Sequence, residues 1–133
     1  MAGRPTFYID RCLGKSVAAA LRAAGADVRV HDDHFAQDAR DEDWIPDVAA
    51  RGWVILTKDK NIRRRGHERE AALTAAARIF TLHSGNLRGR DTVALFLRHL
   101  DAMEQVALAL RPPFIAVVGP TGIEIVRPAP DTE

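Results

Sequence analysis

A chain of 133 residues, of which 47% are hydrophobic, is long enough for one packed core and too short for two, so we expect residues 1–133 to form a single domain. The single cysteine, Cys12, excludes an intramolecular disulfide and a zinc site built from cysteines. No apolar run approaches the ~20 residues that span a bilayer, and the first residues lack the layout of a signal peptide. We therefore expect a cytoplasmic protein with no membrane association.

The formal net charge of +1 hides an uneven distribution of charge along the chain. From Asp27 to Asp47 there are eight acidic residues and two arginines, whereas from Lys58 to Arg69 there are six basic residues and two acidic ones. An acidic pocket beside a basic rim suits a metal-dependent enzyme that acts on a polyanion. The plainer alternative is an ordinary surface whose charges happen to cluster.

The first half of the chain alternates between strand and helix patterns. Thr6–Asp10 is a short β-rich run, and Lys15–Ala24 is alanine-rich with helical spacing, ended by Gly25 as a C-terminal cap. Asp27–His31 alternates in polarity as a strand does. Asp41–Arg51 has acidic residues in its first turn, where they favour the positive end of a helix dipole, so we predict a helix there.

The alternation continues in the second half. Trp53–Thr57 is a continuous apolar run, which is typical of a strand buried on both faces. We predict a helix at His67–Ala77 and a further strand at Arg78–Leu82. Thr92–Leu110 carries apolar residues at helical spacing along its whole length, and we predict that it forms the longest helix.

The chain closes with a predicted hairpin, Phe114–Val118 and Gly122–Val126, around the turn sequence GPTG. Strands that alternate with helices imply an α/β fold with a central, mostly parallel sheet between layers of helices. In such sheets, functional sites form at the carboxyl ends of the strands. The residues that end the strands and begin the next helices are therefore the candidates for chemistry.

Carboxylates occupy several of these positions. Asp10 ends the first strand, Asp59 follows the third, and Asp41 begins the helix that leads into the third strand, with Glu42 and Asp43 as alternatives to it. Carboxylates that are brought together repel one another unless a cation joins them. Oxygen ligands without cysteine or paired histidines favour Mg²⁺ or Mn²⁺, which can activate water for attack on phosphorus. The alternative is that each aspartate is a turn or N-cap residue.

Three segments of the chain carry a family resemblance, and they read FYIDRCLG, DEDWIPDVAARGWVILTKDKNI and ARIFTL. An aspartate that opens a helix, followed by an apolar strand ending in T-x-D, resembles the PIN-like superfamily, and within it the compact relatives of VapC-type toxins. The resemblance implies a PIN-like fold and a metal-dependent endoribonuclease with Asp10, Asp41 and Asp59 as catalytic metal ligands. Relatives often have a second acid two residues after T-x-D, where this chain has Asn61.

The resemblance also implies partners, namely RNA and a small cognate antitoxin, and it leaves a homodimer open. A basic segment follows the T-x-D strand directly and is a candidate for phosphate contacts; it contains Lys58, Lys60, Arg63, Arg64 and Arg65. The alternative for this segment is a solvated helix entrance or a docking surface for an acidic partner.

Two other functions are compatible with the same residues. One is a catalytically inactive PIN-like module that binds RNA or protein, which the departure at Asn61 would permit. The other is a receiver-like domain that accepts phosphate on an aspartate. Against a receiver, the acid pair expected after the first strand is missing, and Asp32 and Asp33 follow the second strand instead. No glycine-rich phosphate loop is present, so no nucleotide cofactor is implied.

Overall fold

The fold is described from a computed structural model that covers residues 5–10, 13, 15–31, 41–58, 75–84 and 87–127, with the backbone alone for residues 41, 42, 126 and 127. Six strands form one sheet in the order β2-β1-β3-β4-β5-β6. The strands are β1 (Thr6–Ile9), β2 (Asp27–Val30), β3 (Val54–Leu56), β4 (Arg78–Leu82), β5 (Phe114–Gly119) and β6 (Gly122–Arg127). The first five are parallel, and β6 is antiparallel to β5. The predicted α/β sheet with its C-terminal hairpin is confirmed.

Four helices lie within the described residues: α1 (Lys15–Ala23), α2 (Asp41–Ala50), α3 (Gly89–Arg98) and α4 (Leu100–Ala109). The α1, α3 and α4 helices pack on one face of the sheet in an apolar cluster that includes Phe7, Val17, Phe80, Phe96 and Met103. The α2 helix packs on the other face in a second cluster, which includes Tyr8, Trp44, Ile45, Ile55 and Ile79. Successive side chains along each strand point to opposite faces, so the strands contribute to both clusters. The sheet is therefore the middle layer between two layers of helices.

The prediction of one long helix at Thr92–Leu110 is wrong. The segment forms α3 and α4 with a break at His99, whose φ of −106° and ψ of 15° are not helical. The apolar spacing runs unbroken through the break because Phe96, Leu100 and Met103 all face the same cluster. The sequence has neither glycine nor proline there, so hydrophobic periodicity alone could not separate the two helices.

Most of the predicted helix at His67–Ala77 lies outside the described residues. Its last three residues, 75–77, are not helical, and Ala76 has a φ of 59°. A left-handed residue at this point ends any preceding helix and turns the chain into β4. Ala77 is buried against the α2 side of the sheet, so this turn fixes where β4 begins.

Candidate active site

The strands β1 and β3 are neighbours, and their carboxyl ends bring together the first residues of the site. Ile9 pairs with Leu56, so Asp10 and Thr57 follow at the same level. The Asp10 backbone N–H donates to the Leu56 carbonyl at 3.0 Å, and the Thr57 N–H donates to the Phe80 carbonyl at 3.0 Å. These bonds continue the sheet ladder by one residue and fix both backbones at the sheet edge. The first and third strands are therefore neighbours in the sheet.

The side chains of these two residues are joined directly. The Thr57 hydroxyl donates to Oδ2 of Asp10 at 2.8 Å. Thr57 is fully buried, whereas Asp10 is half-buried. A buried donor held by the sheet therefore orients a carboxylate that remains accessible from solvent, and hydrogen bonds to charged acceptors are among the stronger ones in proteins.

Strand order makes this point of the sheet a natural binding crevice. The chain leaves β1 for β2 on one side and then crosses to β3 on the other side, so the connections diverge between β1 and β3. In open parallel sheets, ligands bind outside the carboxyl ends of the strands where the connections diverge. The order 2-1-3-4-5 is shared with flavodoxin-like folds, so topology alone does not separate a nuclease from a receiver domain.

Register extends the site into a row of four polar residues across the sheet. His31, Asp10 and Thr57 directly follow β2, β1 and β3, and Thr81 lies within β4. Tyr8, Ile55 and Ile79 face α2, and Asp10, Thr57 and Thr81 each follow one of them by two residues, so they face the same side. His31 is in register with Asp10 and faces that side as well. We call this set the polar row. Neighbouring strands are about 4.8 Å apart, so the row spans about 14 Å.

His31 anchors one end of the polar row. Its Nδ1 is hydrogen-bonded to the Tyr8 hydroxyl, and both side chains are buried. The Trp44 ring packs edge-on against His31, at 5.8 Å between centroids, and in a tilted arrangement against Tyr8, at 5.2 Å. Because Trp44 lies in the first turn of α2, this packing holds the start of α2 over the carboxyl ends of β1 and β2.

The first turn of α2 is thereby held at the edge of the sheet that carries Asp10. The helix begins at Asp41, as predicted, and the backbone of Asp41 and Glu42 is described. The Asp43 side chain is exposed. Among the residues that the structure describes, no three histidine, cysteine, aspartate or glutamate side chains are grouped closely enough to hold a metal ion.

The remaining predicted site residues fall outside the described part of the chain, namely Asp59, Lys60, Arg63, Arg64 and Arg65. Lys58 is described; it is half-buried and follows Thr57 directly. The structure therefore brings Asp10, Lys58 and the start of α2 to one edge of the sheet.

Thr81 is a residue of the polar row that the sequence analysis did not single out. It is fully buried, and its Oγ1 has no hydrogen-bond partner within the described residues. A signal for it exists in the sequence: β3 continues as Ile55-Leu56-Thr57 and β4 contains Ile79-Phe80-Thr81, so two neighbouring strands carry a threonine at the same level. Threonine also favours strands for steric reasons, which is why the signal is easily overlooked.

Comparisons with known proteins agree with the geometry. Residues 5–84 match a family model described as "PIN like domain", and this match covers the whole polar row. A protein of Mycobacterium tuberculosis named "Putative ribonuclease VapC45" is 33% identical over 121 residues, which is 87% of this chain and 87% of that protein. No solved structure matches the chain. No helix in the described ranges is long and apolar enough to cross a membrane. The chain belongs to the PIN-like domain family, and it is a relative of VapC-type proteins.

Proposed function

We propose that this chain is a metal-dependent endoribonuclease and the toxin of a toxin–antitoxin pair. The observation that carries the proposal is the Asp10 carboxylate held at 2.8 Å by the buried Thr57 hydroxyl, at the point of the sheet where connections diverge. The family match and the name of the mycobacterial relative support the same chemistry. Family membership leaves the receiver-like alternative without support.

The proposed metal ligands are Asp10, Asp41 and Asp59, with Glu42 or Asp43 as alternatives to Asp41. The donor atoms fit a hard cation: Asp10 offers carboxylate oxygen beside a hydroxyl, and the imidazole of the polar row, His31, has its Nδ1 engaged by Tyr8. A Mg²⁺ or Mn²⁺ ion held there would supply an ionised water and would neutralise charge on the phosphate.

Asp59 is proposed from covalent geometry together with the family pattern. It follows Thr57 by two residues, so its Cα lies within about 7 Å of the Thr57 Cα. The hydrogen bond from Thr57 to Asp10 supports the proposal that Asp59 serves the same crevice. Thr57 then has two roles in this proposal: its hydroxyl orients Asp10, and its fixed backbone sets the starting point of the segment that carries Asp59.

Binding of the RNA backbone is proposed for Lys58, Lys60, Arg63, Arg64 and Arg65. Lys58 leaves the sheet edge next to the polar row, so the basic segment begins at the proposed catalytic centre. Cationic side chains that neutralise phosphates give affinity without sequence specificity. An enzyme of this kind would need a block in the cell. We propose a small cognate antitoxin that pairs basic side chains with Asp10, Asp41 and Asp59.

Location and oligomeric state follow from the same proposal. An enzyme with an RNA substrate and a cognate antitoxin fits a cytoplasmic protein made of a single domain with no membrane association. A homodimer is compatible with the proposal, and sedimentation of the purified chain would establish the oligomeric state.

The test compares RNA cleavage by wild type, Asp10→Asn and Asp101→Asn in Mg²⁺, Mn²⁺ and EDTA. Asp101 is an exposed aspartate in the first turn of α4, so its substitution controls for the loss of one surface charge. We expect cleavage by wild type and Asp101→Asn, none by Asp10→Asn, and none in EDTA. Equal cleavage by Asp10→Asn would refute the proposed site. RNA binding without cleavage in the wild type would indicate the inactive module instead.

A further inference from the structure

A second concave surface lies at the same edge of the sheet, beyond β4. It has a volume of about 320 Å³ and is lined by His83, Leu87, Asp91, Ala94, Leu95, Arg98 and Pro120. His83 and Leu87 lie between β4 and α3, and the other residues come from α3 and from the turn between β5 and β6. We call it the α3 groove. Its volume is at the lower end of the range for small-molecule sites, about 300–1,000 Å³.

The α3 groove is a rigid surface because its walls are tied together. The Arg98 guanidinium donates to the Pro120 carbonyl at 3.2 Å, which joins the end of α3 to the β5–β6 turn. The His83 N–H donates to the Val118 carbonyl at 3.1 Å, so His83 continues the sheet beyond β4. Leu87 and Leu95 pack against the main apolar cluster, so the floor of the groove is part of the core.

The α3 groove is next to the polar row. Thr81 ends the row, and His83 follows it by two residues, which is about 7 Å along a strand. The groove opens where α3 packs, whereas the polar row faces α2, and two strand spacings separate Asp10 from Thr81. A polyanion bound at Asp10 would therefore reach the groove only some nucleotides further along, after crossing this edge of the sheet. None of the groove residues belongs to the proposed metal site or to the basic segment from Lys58 to Arg65.

The chemistry of the lining fits one nucleotide. Asp91 and Arg98 are seven residues apart on one face of α3, which separates them by about 10 Å along the helix axis. A carboxylate accepts hydrogen bonds from the amino groups of a base, and a guanidinium binds phosphate. Between them, Ala94 and Leu95 present apolar surface to a base plane. The lining therefore offers a hydrogen-bond acceptor for a base, an apolar floor and a hydrogen-bond donor to phosphate. The three lie in line over about the length of a nucleotide.

Charge near the groove favours the same ligand. The start of α3 adds two exposed arginines, Arg88 and Arg90, while Asp91 is the acidic residue of its first turn. A polyanion is attracted to this end of the helix, whereas the single carboxylate at Asp91 can distinguish bases by their amino groups.

We infer that the α3 groove is a nucleotide subsite that binds a base and a phosphate beyond the cleaved position and gives the enzyme its base preference. The effect of the groove on RNA cleavage rests on the proposed ribonuclease function, whereas nucleotide binding in the groove does not. Direct contact to a base edge is what specifies sequence, whereas contacts to phosphate only position the chain. Asp91 is then the specificity-determining residue and Arg98 the phosphate-binding one.

The test fills the groove and compares a matched surface change. Ala94→Trp places a large ring in the groove, and Ala102→Trp places the same ring at an exposed alanine of α4 outside it. Each variant is assayed for cleavage of random-sequence RNA, with sequencing of the products. We expect Ala94→Trp to raise KM about tenfold, as for the loss of one charge-assisted hydrogen bond, and to lose the base preference, while Ala102→Trp matches wild type. Asp91→Asn should change which base is preferred.

A binding measurement separates this inference from the proposed function. The four nucleoside 5′-monophosphates are titrated into each protein while backbone amide resonances are followed by NMR. Shifts at His83, Leu95 and Arg98 in wild type, and their loss in Ala94→Trp, support the subsite even if the protein cleaves no RNA. The inference is overturned if no nucleotide shifts these amides, or if Ala94→Trp cleaves with the KM and base preference of wild type.

Discussion

Thr57 offers the sharpest test of how the proposed site is built, because its hydroxyl and its methyl group have separable roles. The hydroxyl donates to Asp10 at 2.8 Å, and the side chain is fully buried. Thr57→Val removes the hydroxyl at nearly constant volume, whereas Thr57→Ser keeps it and removes the methyl group. The two substitutions should therefore damage different properties of the protein.

The expected changes in kcat and in unfolding free energy follow from the contacts of Thr57. A hydrogen bond to a charged acceptor contributes about 1.5–3 kcal/mol, and Asp10 is half-buried, so water replaces part of it and the lower value applies. At about 1.4 kcal/mol for each factor of ten, Thr57→Val should lower kcat about tenfold with little change in KM. Thr57→Ser should lose about 1 kcal/mol of unfolding free energy, for one buried methyl group, and keep near-wild-type kcat.

The assay is steady-state cleavage of a fluorescent RNA by each variant, with urea unfolding measured on the same preparations. Thr57→Val should also weaken Mn²⁺ binding, because the carboxylate that the hydroxyl orients becomes mobile. Full activity in Thr57→Val, or an equal loss of kcat in Thr57→Val and Thr57→Ser, would refute the positioning of Asp10 by the hydroxyl.

Three further predictions concern RNA binding, stability and growth. Replacing Arg63, Arg64 and Arg65 by alanine should lower the slope of log K against log salt for RNA binding by about 0.7 for each phosphate that the variant no longer neutralises; an unchanged slope would show that RNA binds elsewhere. Thr81→Val should raise the free energy of unfolding by about 1 kcal/mol, because it removes a buried hydroxyl without a partner in the described residues; a fall would reveal a partner elsewhere. Wild type expressed alone should slow bacterial growth and a small cognate protein should relieve it, whereas equal slowing by Asp10→Asn would exclude a nucleolytic cause.

The strands of the sheet were predictable because their signals are local. Val54–Leu56 lies in an uninterrupted apolar run, and Gly25 and Gly52, which have positive φ, follow α1 and α2. The rule that sites form at the carboxyl ends of parallel strands is general and depends on no single residue. That rule also directed attention to Asp10, which the structure places beside Thr57.

The remaining features depend on tertiary contacts that leave little trace in the sequence. The break at His99 lies within a continuous apolar period, so local spacing predicts a single helix. The α3 groove exists because Arg98 meets the carbonyl of Pro120, a residue 22 positions further along the chain. The polar row could be recognised only from the register between strands. Register distinguishes a threonine at the site from one that is present because threonine favours strands.

The central claim is that carboxylates at the divergence of β1 and β3 bind a divalent cation, and Mn²⁺ binding measures this directly. Titration of wild type, Asp10→Asn and Asp101→Asn with Mn²⁺, followed by electron paramagnetic resonance of the free ion, reports affinity without any need for cleavage. We expect saturable binding by wild type and Asp101→Asn, and binding at least about tenfold weaker in Asp10→Asn, for the loss of one charged ligand. Equal Mn²⁺ affinity in Asp10→Asn and wild type would contradict it.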